Sequence, residues 1–137
     1  MPSLIAHIDA IARQRKRDVL YVQFHHWDDV KGPVQHENSE ASRQQIINWL
    51  QANNYLWQPC GHIARTDLML PYLGQIYIDV PFDNTQPEYQ KLSIFLENPD
   101  GSMRIPGADF CCLTYEAAMK NSHHDAPGFW EQWAKDF

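Results

Sequence analysis

Two alternating stretches, residues 18–25 and 75–80, constrain this chain more than any other feature of its sequence. Successive side chains of a strand point to opposite faces. In the first stretch Leu20, Val22 and Phe24 therefore share one side, and Tyr21, Gln23 and His25 share the other. In the second stretch Ile76, Ile78 and Val80 oppose Gln75, Tyr77 and Asp79. Each reads as a half-buried strand with one apolar face and one mixed face. Residues 55–62 and 110–115 supply two further strands. Pro59 assigns the former to a sheet edge, because proline has no N–H to give to a central ladder.

Helical signals lie between and around these strands. Asn38 or Ser39 is placed to cap a helix that buries Ile46, Ile47 and Leu50 and ends at Asn53 and Asn54. Thr85 followed by Glu88 has the form of a capping box, ahead of Tyr89, Leu92, Phe95 and Leu96 at helical spacing. Pro99, Asp100 and Gly101 then stop that helix. A first helix over residues 3–17 is predicted from Ser3 as cap and an apolar stripe of Leu4, Ile8 and Ile11. Its closing run of Arg13, Arg15, Lys16 and Arg17 suits the negative end of a helix dipole. A last helix is predicted over residues 127–137.

Over residues 18–115 the order is thus strand, helix, strand, strand, helix, strand. This βαββαβ order resembles the ferredoxin-like split βαβ architecture. The resemblance implies an α+β fold with a four-stranded antiparallel sheet, extended by the N- and C-terminal helices. Right-handed crossovers would put the first and third strands in the centre and the second and fourth at the edges. A length of 137 residues with a 44% hydrophobic fraction fits one domain, residues 1–137, with a real core.

Charge and composition narrow the partners. A net charge of −6 opposes both phosphate-rich nucleic acids and anionic membrane surfaces. No apolar run reaches the roughly 20 residues that span a bilayer, and the first residues lack the form of an export signal. The three cysteines, Cys60, Cys111 and Cys112, are odd in number, and no CxxC is present. They imply free thiols in a reducing, cytoplasmic setting.

Two functional readings follow. In the first, the mixed sheet face carries no helix and is a contact surface, and the protein is a small binding or assembly module working as a homodimer. Its interface would use Tyr21, Gln23, His25, Trp57, Tyr77 and Asp79, together with Trp130 and Trp133 of the last helix. A protein or small-molecule ligand would follow from that assembly. The same aromatics could stack RNA bases, but the basic-aromatic pattern of RNA-binding sheets is missing and Asp79 would repel phosphate. Alternatively, Phe129, Trp130, Trp133 and Phe137 lie along one side of the last helix and could themselves cover the sheet.

The second reading is a small metal-assisted hydrolase or acid–base enzyme. His25, His26 and Asp28 follow the first strand, and imidazole with carboxylate can hold a divalent metal or relay a proton. Parallel first and second strands would bring His62 to the same end of the sheet, beside Asp109. His25, His62 and Asp28 are then the catalytic candidates; His25, His26, Asp28, His62 and Asp109 are the metal candidates. His123, His124 and Asp125 follow the last strand and belong at the opposite end unless the tail folds back. Cys60, two residues from His62, has the makings of a nucleophile but more commonly such a cysteine packs in a core. No phosphate loop, GxSxG or GxGxxG is present, so no cofactor is predicted beyond that divalent metal.

Overall fold

The structure, a computed structural model, describes residues 6–24, 27–28, 32–33, 36–61, 63–64 and 74–135, and only the backbone of residues 27–28, 32–33 and 36–39. Its elements are α1 (Ile8–Arg15), β1 (Val19–Phe24), β2 (Trp27–Asp28), β3 (Gly32–Pro33), α2 (His36–Ala52), β4 (Trp57–Pro59), β5 (Ile76–Ile78), α3 (Pro87–Leu96), β6 (Ala108–Leu113), α4 (Tyr115–Met119), a 3-10 turn (Ser122–Asp125) and α5 (Phe129–Lys135). The fold is α+β, with a four-stranded sheet in the order β4-β5-β1-β6 and a two-residue hairpin of β2 with β3. Every neighbouring pair in the sheet is antiparallel. The alternating strands β1 and β5 occupy the centre, and β4, which contains Pro59, is an edge. Among the described residues no helix is long and apolar enough to cross a membrane.

The apolar face of the sheet behaves as its alternation dictates. Leu20, Val22, Phe24, Ile76, Ile78 and Val80 pack with Ile46, Ile47 and Leu50 of α2 and with Leu92 and Leu96 of α3. The two helices touch through Trp49 and Phe95, whose rings stack at 4.3 Å between centroids. Asn54 closes α2 in the left-handed region at φ 62°, and the Tyr55 N–H donates back to the Leu50 carbonyl at 2.8 Å. That 6→1 bond satisfies a carbonyl that the helix end would leave open.

Helix boundaries differ from the sequence reading for local reasons. α2 begins at His36, so Asn38 and Ser39 fall within its first turn. The capping box of Thr85 and Glu88 does not form. Thr85 Oγ1 instead donates to Asp83 Oδ1 at 2.6 Å, Gln86 takes the cap position, and Pro87 opens the helix. Proline is favoured there because its missing N–H has no intrahelical partner to lose. α1 starts at Ile8, with His7 as its cap, because Ala6 and Ile8 are tied to Gly61 in a parallel bridge. The Gly61 N–H donates to Ala6 at 2.9 Å, and the Ile8 N–H to Gly61 at 3.2 Å. Ser3 lies outside the described residues. α4 was not foreseen: Asp18 Oδ1 accepts the Tyr115 N–H at 2.7 Å, and Thr114 Oγ1 accepts the Ala117 N–H at 3.1 Å. Two capped N–H groups thereby convert the end of the fourth strand into a helix.

The largest departure concerns the mixed face, which carries its own helical layer. Ile8, Ile11 and Ala12 of α1 and Ala118 of α4 form a second core with Val19, Cys60, Tyr77 and Leu113. Helices therefore cover both faces of the sheet, and β5 is buried at all three of its positions.

Candidate functional site

The second layer decides the fate of the interface residues inferred from the sequence. Tyr77 is 1% exposed and lies in the core under α1. Its hydroxyl donates to Asp79 Oδ1 at 2.8 Å. Asp79 also receives Arg17 Nη2 at 2.6 Å and lies 3.7 Å from Arg15 Nη1. The cationic run that ends α1 is thus bound to the sheet in part. Tyr77 and Asp79 serve the inside of this molecule, which corrects their placement on a helix-free surface. Trp57 pairs with Ile78 and packs against the first core, so its side chain belongs to the other face. The β4 residue opposite Tyr77 is Gln58. Tyr21 and Gln23, facing Cys111 and Asp109 across β1 and β6, are half-buried.

The cysteines are free, and their surroundings disfavour thiolate. Burial pushes the Cys60 thiol up to about 12. Burial likewise raises Cys111 and Cys112, and for Cys111 the neighbouring Asp109 adds to it. Burial also pushes Tyr21 up to about 12, and the neighbouring Cys111 adds to it. A buried protonated thiol is a packing group, since the thiolate is the nucleophile. Cys60 accordingly fills the second core. With a thiol-specific disulfide reagent at pH 8, the exposed Cys112 is expected to react first. Cys60 should react roughly a hundredfold more slowly or only on unfolding. Comparable rates for the two would show that Cys60 is accessible.

At the opposite end of α1 the chain gathers imidazoles. β1 and β4 are each antiparallel to β5, so they run in the same direction. Phe24 and Gly61 leave the sheet at one end, where Ala108 and Asp109 enter β6 opposite Phe24 and Gln23. His25, His26 and His62 come next in the sequence but lie outside the described residues, as does the side chain of Asp28. Among the described residues, no group of three or more histidine, cysteine or carboxylate side chains is arranged to hold a metal ion.

The tail does fold back. His7, held to Gly61 by the bridge, lies 5.3 Å from Trp130 between ring centroids. Trp130 in turn lies 4.9 Å from His124, and His124 lies 4.7 Å from Phe129 and 4.2 Å from His123. The C-terminal histidines thus reach the layer beside Gly61, contrary to their separation along the last strand. His124 is 5% exposed, and its Nδ1 has no hydrogen-bond partner among the described residues. Desolvation by burial, followed by the neighbouring His123, holds this imidazole below its ordinary value of 6.5.

Beside it lies a buried ion pair that the sequence reading missed. Asp9 is fully buried and accepts three bonds: Arg13 Nη1 at 3.1 Å, Asn121 Nδ2 at 3.0 Å and the Ala64 N–H at 3.1 Å. Arg13 also donates to the Ala118 carbonyl at 3.0 Å and grips Asp125 with Nε at 2.8 Å and Nη2 at 2.9 Å. That fork holds the Asp125 carboxyl below the usual carboxylate range. The available signal was the spacing of Asp9 and Arg13, one turn apart on the stripe that also holds Ile8 and Ile11. α1, α4 and the 3-10 turn are joined through these three charges. Trp130 and Trp133, predicted as contact residues, are half-buried and their rings meet at 5.4 Å. Comparison with protein-family models, with curated proteins and with solved structures returned no match.

Proposed function

We propose that this chain is a small binding and assembly module of ferredoxin-like topology that works as a homodimer in a reducing compartment. The strand order β4-β5-β1-β6, with all neighbours antiparallel, supports the topology. The three free thiols suit the compartment. One observation carries the assembly reading: the helical layer covers only part of the second face. Val19, Leu113 and Tyr77 are buried beneath α1 and α4, while the facing pairs Tyr21–Cys111 and Gln23–Asp109 on the same two strands stay partly exposed. Trp130 and Trp133 lie towards the same end, because the Trp130 ring meets His7, beside Gly61, at 5.3 Å between centroids. A partly exposed surface that offers a phenol, an amide and indoles matches the composition of interface centres, where aromatics are enriched.

Native mass spectrometry of tag-free protein, purified without chelator, tests this reading. The expected species has twice the chain mass of 16.0 kDa. Gln23→Arg places a charge beside Tyr21 and Asp109 and should weaken the dimer at least tenfold, about 1.4 kcal/mol, with the secondary structure of the folded chain retained. A wild-type monomer at tens of micromolar overturns the reading. If that monomer carries one stoichiometric divalent ion, the enzyme centred on His25, His26, Asp28, His62 and Asp109 takes its place.

A further inference from the structure

We propose that His124 is an acid-sensitive latch: its neutral ring holds residues 122–135 against α1, and its protonation releases them. In this stretch His124 is the one side chain that is more than nine-tenths buried, and α5 has no buried residue of its own. The segment is also attached by the fork of Arg13 on Asp125 and by the half-buried ring of Trp130 on His7. Removing His124 from its place therefore removes the most deeply buried anchor of this stretch among the described residues. That anchor is ionisable, and Nδ1 lacks an acceptor that could stabilise a new proton.

The charges around the ring oppose protonation on balance. His7 precedes α1, Arg13 projects from α1, and His123 adjoins in the chain; each disfavours a further cation. The counter-charge facing the ring is Asp9, whose oxygens are already taken by Arg13, Asn121 and the Ala64 N–H. Asp125 is held in the Arg13 fork, and α5 contributes uncharged rings from Phe129 and Trp130 while Glu131 and Lys135 are exposed. The docked segment thus binds fewer protons at His124 than the released one. Docking is complete above the ordinary imidazole value of 6.5 and weakens as pH falls below it. The rest of the second core is apolar, so α1 stays on the sheet while the tail leaves.

Hydrogen–deuterium exchange on the full chain at pH 7.5 and 5.5, corrected for the intrinsic rate, reads the latch directly. Exchange in residues 122–135 is expected to rise up to about tenfold at the lower pH, the limit for one proton taken up over one unit below 6.5. The strands should be unaffected. His124→Phe keeps a ring in the cage but cannot titrate, so its tail should exchange equally at both pH values, whereas His123→Gln should keep the wild-type response. A wild-type tail indifferent to pH, or a His124→Phe tail that still responds, overturns the proposal. Should His124→Phe fail to fold, the ring resonances of wild-type His124 decide: a midpoint below 6.5 supports the latch, and one at or above 6.5 overturns it.

Discussion

Replacing Arg13 with alanine is expected to lower stability by about 3–5 kcal/mol, the cost of breaking a buried ion pair from one side. The reason lies in what remains. Asp9 is fully buried and would be left with only the Asn121 amide and the Ala64 N–H as partners. The Ala118 carbonyl would keep the Asn121 N–H but lose the guanidinium, and the exposed Asp125 would lose its fork. For a chain of this length such a loss lowers the thermal midpoint by roughly 10 °C or more. Adding Asp9→Leu to Arg13→Met removes both charges and should recover at least half of that loss, since an apolar pair of similar volume is often as stable as an ion pair. Urea titrations of the single and double variants measure both numbers. A single-variant loss under about 1 kcal/mol would mean that the pair behaves as a solvent-exposed one.

Tyr77→Ala should cost a similar amount, about 3–5 kcal/mol, through lost burial and the cavity left behind. Tyr77 is the largest of the fully buried side chains among the described residues and shares the second core with Ile8, Ile11 and Cys60. Tyr77→Phe keeps the ring and removes the hydroxyl that donates to Asp79, so its cost should be only about 1 kcal/mol. These values separate the structure from the sequence reading. On a helix-free face Tyr77→Ala would alter self-association and leave stability nearly untouched. Here denaturation should respond strongly, and the mass in solution of the folded fraction should not change. A stable Tyr77→Ala variant with altered mass would restore the exposed face.

The parts of the fold that were legible share one property: they depend on residues close together in the chain. Alternation at residues 18–25 and 75–80 placed Leu20, Val22, Ile76 and Ile78 on the apolar face, and all four are buried there. The stripe of Ile46, Ile47 and Leu50 marked the buried side of α2 for the same reason. Pro59 announced an edge strand because a missing N–H cannot be disguised. The residues inferred to lie on one open face do not share one environment. Tyr21 and Gln23 remain partly exposed, but Tyr77 does not, and Trp57 lies on the other face.

By itself the sequence determined the four strands of the sheet, the faces of the two central ones, and the two helices that bury the apolar side, since these follow from a period of two or 3.6 residues. Only the tertiary structure decided what covers the mixed face. Nothing local says that α1, eight residues long, lies across Tyr77, or that Asp125 reaches back to Arg13, 112 positions away in sequence. A polar residue on an amphipathic helix reads as solvated until a partner is supplied from elsewhere. Asp9 and Arg13 acquire their burial from α4 and the folded-back tail, as His124 acquires its cage from Phe129 and Trp130. Periodicity records which side of an element is apolar, but desolvation of a charge is a property of the assembled layers.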